Sequence, residues 1–282
     1  MNDSTNLPVV LVQGGFDDLR IIDIRFLQEA ANFGKVCILL FQDEIAQEVT
    51  GKPVKFPFEE RRYYLENIRY VDQVFESTNK NPNSLPIEAL IESSDKQQII
   101  WAVPEKEDST EKKVFCQTHH ISYQVISDQA LAGFPIDTSP ENEPGSHTKV
   151  MVSGCFDWVH TGHIRFFEEA SAFGDLYVVV GHDENLRLLK GEGHPLFNQD
   201  ERLYWVQAIR FVKLALISTG NGWLDAAPEI EKIRPDMFIV NKDGDVPEKR
   251  EYFKELGIEY KILERTPKTG LPARVSTTLR GF

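Results

Sequence analysis

Apolar positions along the chain gather into short unbroken runs separated by stretches of helical periodicity. In the C-terminal half the runs lie near Lys149–Ser153, Leu176–Gly181, Lys213–Ile217, Met237–Val240 and Glu259–Leu263. Their shortness and β-branched content read as strands. A run without a polar break, such as Tyr177–Val180, suits the middle of a parallel sheet covered on both faces. Helical patterns fill the gaps near Gly162–Phe173, Gln199–Phe211, Leu224–Ile233 and Pro247–Leu256. The first of these helices shows an apolar face at Ile164, Phe166, Phe167 and Ala170. Strand and helix in strict alternation predict an open, doubly wound α/β domain, with ligands bound where strands end and their order reverses.

The N-terminal half repeats the pattern. With Gly14 laid on Gly154, GGFDDLRIIDIRFLQEAANFG matches GCFDWVHTGHIRFFEEASAFG at ten of twenty-one positions. Ile38–Glu44 then lies on Val178–Glu184, Phe56–Val71 on Phe197–Val212 after one inserted residue, and Glu111–Ile126 on Glu248–Leu263. The chain reads as a tandem duplication of one fold. The polar stretch 137–148, with its prolines and glycine, reads as a linker. The expected domains are therefore residues 1–136 and 149–282.

The densest chemistry lies where the first strand of the second copy ends. Gly154-Cys155-Phe156-Asp157 forms a turn, and His160-Thr161-Gly162-His163 opens the helix. First-turn N–H groups lack intrahelical partners and the helix dipole favours an anion there. Histidines three apart share a helix side, so both are expected to reach a bound phosphate. Gly162 lets a ligand approach the backbone closely.

These residues are similar to the G-[TC]-F-D…H-x-G-H motif of the cytidylyltransferase-like nucleotidylyltransferases. That group includes glycerol-3-phosphate, phosphocholine and phosphoethanolamine cytidylyltransferases and heptose-phosphate adenylyltransferases. The resemblance implies transfer of a nucleoside monophosphate, CMP first of all, from a triphosphate to a small phosphorylated alcohol or sugar, with pyrophosphate released. It implies catalytic roles for His160, His163, Lys190 and Arg202, and nucleotide contacts from Gly154, Cys155, Phe156, Asp157, Gly162 and Ser276-Thr277-Thr278. Arg265, Trp223 and Asp183 are implied on the acceptor side, with Arg274 a further candidate. Lys190 corresponds to a lysine in a flexible loop after the second strand, with Gly191 and Gly193 giving that loop its mobility.

Several of these residues admit a structural reading as well. Arg202 has Arg61 at its place in the first copy, which suits an ion pair. Asp157 is matched by Asp17 and could shape the turn, orient a histidine or hold Mg²⁺ through water. Trp223 could simply pack, and Ser276-Thr277-Thr278 could cap a last helical turn. Mg²⁺ is expected as part of the triphosphate complex, with no protein metal site; CTP, or ATP, and a phosphorylated small molecule are the expected partners. The run Glu264-Arg265-Thr266 leading to Ser276-Thr277-Thr278 looks most like glycerol-3-phosphate cytidylyltransferases. Arg187-Leu188-Leu189-Lys190-Gly191 with His194-Pro195 resembles the heptose-phosphate adenylyltransferases, which makes ATP the alternative donor. A non-catalytic nucleotide sensor or scaffold is the reading from another class.

The first copy lacks this chemistry. Arg20 stands at the place of His160, Ile22 at Gly162, Asp23 at His163 and Thr50 at Lys190, and an aspartate at the helix start repels phosphate. The first copy is expected to keep the fold without the site. In the duplicated phosphoethanolamine enzymes the second copy is the decayed one, so the order here differs. Because single-domain relatives dimerise, the resemblance implies two Rossmann-like domains forming an intrachain pseudo-dimer, with further homo-oligomers open.

Composition narrows the setting. A net charge of −13 argues against nonspecific binding to nucleic acid or anionic membrane, so a polyanionic substrate has to meet a local basic site. The three cysteines, widely spaced, suggest neither a disulfide framework nor a zinc site. No apolar run has membrane-spanning length and MNDSTNLPVV does not read as a leader, so a cytoplasmic setting is expected.

Overall fold

Among the described residues ten strands build two five-stranded, wholly parallel sheets. The computed structural model describes residues 7–86, 98–136, 148–275 and 279. The chain divides into two units, Met1–Gly133 and Phe134–Phe282. All but one residue of the expected linker lies outside the described residues.

The first unit runs β1 (Val9–Gly14), α1 (Ile21–Ala31), β2 (Lys35–Phe41), α2 (Asp43–Thr50), α3 (Phe58–Glu66), β3 (Gln73–Ser77), β4 (Ile99–Pro104), α4 (Thr110–Thr118) and β5 (Ser122–Ile126). The second runs β6 (Lys149–Gly154), α5 (Thr161–Ser171), β7 (Asp175–Val180), α6 (Asp183–Lys190), α7 (Gln199–Gln207), β8 (Val212–Ile217), α8 (Ala227–Ile233), β9 (Met237–Asn241), α9 (Pro247–Glu255) and β10 (Glu259–Leu263). Strand order is β3-β2-β1-β4-β5 in one and β8-β7-β6-β9-β10 in the other, so each is an α/β Rossmann-like unit.

The central strands are apolar on both faces, as their sequences require. Val36–Phe41 are all buried, as are Val150–Val152 and Val178–Val180. In the second unit the outer layer closes over Phe238, Phe253 and Tyr260, with the Phe238 and Phe253 rings stacked 4.2 Å apart.

The strands fall within a residue or two of the expected positions, whereas the helices needed correction. The span 224–233 is a 3-10 turn at Gly222–Leu224 followed by α8, and the helix expected to reach Phe211 ends at Gln207. α6 and α2, eight residues each, were not among the expected helices. Each buries only two side chains, Asn185 and Leu186 or Ile45 and Ala46, too few to register as a periodic face.

At the switch point β6 and β9 pair only at Val150↔Met237 and Met151↔Phe238. Beyond Met151 no pairing continues, and the carboxyl ends of β6 and β9 flank the crevice.

Candidate active site

The crevice holds a cavity of about 830 Å³ that brings together Gly154, Cys155, Phe156, Asp157, Gly162, His163, Lys190 and Arg265 of the expected residues. The turn after β6 shapes its floor. Phe156 has a φ of 46° and folds its ring back, so a Cβ on Gly154 would sit 2.9 Å from the ring. The ring meets His163 edge-on at 5.4 Å and packs on Phe167 at 5.2 Å. Cys155 is a half-buried free thiol.

Only His163 of the two histidines lines the cavity. His160 is the N-cap of α5, with extended backbone, and its Nδ1 accepts the Gly162 N–H at 3.1 Å. That bond folds its ring over Gly162, where a Cβ would lie 2.9 Å from His160 Cε1. His160 is 3% exposed and lies behind His163, ring centroids 4.0 Å apart. The expectation that both rings reach a phosphate is thus corrected: a cap residue does not project as a first-turn residue does. The Gly162 N–H is engaged by the His160 ring and the His163 N–H by the His160 carbonyl at 2.8 Å. Side chains, more than bare N–H groups, are left to meet an anion.

Both rings are neutral near pH 7. Burial first, then the positive charges of Arg265 and Arg274, push His160 down to about 3. Burial, then His160, Arg265 and Lys190, hold His163 well below the usual range, against the pull of the Trp158 carbonyl. Because Nδ1 of His160 is an acceptor, its proton sits on Nε2, which has no partner among the described residues. For these histidines the unfolded chain takes up protons near pH 6.5 and the fold does not. Stability is therefore expected to fall as pH drops from about 6.5 towards 3, by up to ~1.4 kcal/mol per unit for each histidine, and to be flat in this respect above. Urea unfolding between those limits checks this, with His160→Asn giving the shallower slope.

Lys190 corrects a second expectation. It is the last residue of α6, and the loop begins only at Gly191, whose φ of 84° ends the helix. Lys190 is exposed at the cavity rim. Arg265 takes left-handed backbone, φ 55°, without being glycine, a strain of roughly 1 kcal/mol or more. Its guanidinium pairs with Asp243 and reaches the Arg274 carbonyl at 3.5 Å.

Arg202 and Asp183 belong to the scaffold. Arg202 is fully buried and lies outside the cavity lining. Its Nε donates to the Phe197 carbonyl at 3.0 Å, one Nη to the Cys155 carbonyl at 2.7 Å and the other to Asp183 at 2.7 Å. Arg61 binds Phe56, Gly15 and Asp43 in the same way. Asp157 likewise accepts the N–H groups of Leu196 and Phe197 at 2.6 and 3.2 Å, and Asp17 those of Lys55 and Phe56 at 2.7 and 2.8 Å. A contact present in both units, one of them without the motif histidines, serves the fold. Through the Cys155 carbonyl Arg202 holds the turn at the cavity floor.

Trp223 is 53% exposed on a turn fastened by Asn185 to both the N–H and the carbonyl of Gly222, away from the cavity. It is neither packed nor at the site. Ser276, Thr277 and Thr278 lie outside the described residues; the Arg274 carbonyl sits 3.4 Å from a Cβ built on Gly162, so Arg274 lies against the start of α5.

Sequence reasoning missed Lys249, His194, Glu192, Asn241 and Asp243, which also line the cavity. Lys249 donates to the Gly244 carbonyl at 2.8 Å, and burial lowers its pKa. A lysine one turn into a helix, after a Gly-bearing turn at a strand end, was the available signal. His194 Nδ1 lies 3.5 Å from Asp157. Among the described residues no three His, Cys, Asp or Glu side chains cluster as a metal site. Nor is any described helix long and apolar enough to cross a membrane.

Comparison with known proteins places this arrangement. The cytidylyltransferase-like family model matches residues 151–279, the second unit. FAD synthase of Methanothrix thermoacetophila is 33% identical over 132 residues, 46% of this chain and 80% of that protein. FAD synthase of Aciduliprofundum boonei is 33% identical over 118 residues, 41% of this chain and 76% of that protein. Bifunctional protein HldE of Aliarcobacter butzleri is 30% identical over 116 residues, 41% of this chain but only 23% of HldE. The chain thus spans less than a quarter of the HldE relatives it matches. A solved lipopolysaccharide core biosynthesis protein from Thermoplasma volcanium is 26% identical over 43% of this chain and 98% of its own, at a TM-score of 0.37. The chain belongs to the cytidylyltransferase-like nucleotidyltransferase family.

Proposed function

We propose that the second unit transfers a nucleoside monophosphate from a nucleoside triphosphate to a small phosphorylated acceptor. A phosphate oxygen of the acceptor attacks the α-phosphorus in line, the bond to the bridging oxygen breaks, and pyrophosphate leaves with that electron pair. The observation that carries this reading is the convergence of His163, Lys190 and Arg265 on one cavity at the switch point. Lys190 and Arg265 bring positive charge to the phosphates. His163 is the side chain beside the reacting phosphorus, placed by Phe156 and His160, and once the bound phosphate favours its imidazolium form it donates to the developing charge. Mg²⁺, as part of the triphosphate complex, would neutralise charge on the pyrophosphate.

The donor is ATP or CTP. The path from Arg265-Thr266 to Ser276-Thr277-Thr278 resembles cytidylyltransferases and supports CTP. Relatives whose named product is FAD, an adenine dinucleotide, support ATP with at least equal weight. The first unit, without the histidines, is assigned no transfer chemistry, and residues 149–282 carry the site.

The test is pyrophosphate release by the full chain with each of ATP, CTP, UTP and GTP and Mg²⁺. The acceptors are glycerol 3-phosphate, phosphocholine, phosphoethanolamine, heptose 1-phosphate and flavin mononucleotide. Release that requires one triphosphate and one acceptor is the expected result and names both. Triphosphate binding without release under any pairing would favour the sensor reading. No binding of any triphosphate would remove the proposal.

A further inference from the structure

The duplication gives each polar contact of the second unit an internal control, since the first unit keeps the fold without the motif histidines. Asp17 and Asp157 stand at the same place, in the turns after β1 and β6. Each accepts two backbone N–H groups from the segment that leads into α3 or α7, but they do so differently. Asp17 uses one carboxylate oxygen for each, Oδ2 for Lys55 at 2.7 Å and Oδ1 for Phe56 at 2.8 Å. Asp157 takes both on Oδ1, from Leu196 at 2.6 Å and Phe197 at 3.2 Å. Its Oδ2 is turned instead to His194, whose Nδ1 lies 3.5 Å away.

The turn does not require this pair. In the first unit it closes with no histidine in the loop between α2 and α3. The loop between α6 and α7 is one residue longer and carries His194. Asp157 and His194 both line the catalytic cavity. The aspartate is 3% exposed, whereas the histidine side chain is 31% exposed. A buried carboxylate thus holds a ring that a ligand in the cavity can reach.

The chemistry of the cavity says what such a ring would do. A carboxylate on one ring nitrogen fixes the orientation of an imidazole. With a phosphate at the other nitrogen, the ring donates from both and makes a charge-assisted bond to each. A base is not called for, because a phosphate monoester has its second pKa near about 6 and already offers an ionised oxygen at neutral pH. Lys190 closes α6 on the same stretch of chain and lines the same cavity. Glu192 lies between the two, but it is exposed, so solvent and salt screen its charge.

We propose that His194 is a further phosphate-binding residue of the second unit and that Asp157 is its positioning residue. The proposal rests on the nucleotidyl-transfer reading above. His194 donates to a phosphate of the bound triphosphate, and so adds a second donor to Lys190 on the segment between α6 and α7. One oxygen of Asp157 then serves the fold, as Asp17 does, and the other serves the site.

The test is isothermal titration of the full chain with ATP and, separately, CTP, each with Mg²⁺ and without acceptor, beside pyrophosphate release by the same proteins. His194→Gln is expected to weaken triphosphate binding about tenfold, the loss of one hydrogen bond to a charged group, with its thermal melt unchanged. His194→Arg is expected to recover most of the affinity, since a guanidinium can pair with Asp157 and donate to a phosphate at once. Asp157→Asn keeps an oxygen for the two N–H groups but loses the carboxylate. It should weaken binding several-fold in the parent and hardly at all in His194→Gln, as for two residues acting as one unit. The proposal is overturned if His194→Gln binds the triphosphate as tightly as the parent, if His194→Arg binds no better than His194→Gln, or if Asp157→Asn has the same effect in both backgrounds. In each of these cases a parent that binds and turns over leaves the nucleotidyl-transfer reading standing. A parent that binds no triphosphate removes that reading, and this proposal with it.

Discussion

Replacing His163 with alanine is expected to lower the turnover of nucleotidyl transfer by about 10²–10³-fold while the protein stays folded, the usual loss for one preorganised donor. Of the two motif histidines, His163 is the one that lines the cavity. Its removal leaves the phosphate-facing charges of Lys190 and Arg265 in place. The triphosphate KM should therefore change far less than the turnover number. Steady-state kinetics of pyrophosphate release, with a thermal melt for each variant, separate the two. Asp23→Ala, at the matching position of the first unit, is the control and should leave the rate unchanged. A KM effect alone would mean that His163 only binds.

The second large effect is on stability. Arg202→Met should destabilise the second unit by about 3 kcal/mol or more, because it strands the Asp183 carboxylate and frees the Cys155 and Phe197 carbonyls. In a unit of this size that is a fall of roughly 10 °C in its melting transition. Lysine should not rescue it, since a single ammonium cannot reproduce the fork that spans Phe197, Cys155 and Asp183. Arg61→Met should cost the first unit a similar amount. Differential scanning calorimetry of the two variants reads both losses. Loss of activity in Arg202→Met with an unchanged melt would instead return Arg202 to the phosphates.

The comparison of Arg202 with His163 shows where the sequence was readable. Both stood in motif positions and both carried groups that bind phosphate. The duplication held the information needed to separate them, since Arg61 and Asp17 persist where the histidines do not. Its meaning became visible only through contacts: Arg61 and Arg202, Asp17 and Asp157, Lys112 and Lys249 make matching bonds. His160 went the other way. The sequence put it in the first turn of α5, yet it is the N-cap, whose ring turns back over that turn, and residue spacing does not encode that rotation. Lys249 was passed over because its strand-end turn carries no motif.

Local order was settled by the chain itself. Unbroken apolar runs and helical periodicity fix strands and helices because burial of side chains at spacing 2 or 3.6 depends on nearest neighbours. The same local signal exposed the duplication and the exchange of His163 for Asp23. Which polar residues face the crevice depended on segments far apart in sequence. Arg202 meets Cys155 across 47 positions, and Asp157 meets Leu196 across 39. Only the folded sheet brings those segments together, and the direction each side chain then takes is set by packing and by the need to satisfy buried polar groups. The tertiary structure therefore decided that Arg202 and Asp183 hold the turn, that His163 faces the cavity and His160 supports it, and that the first unit keeps a cavity lined by more acidic than basic side chains.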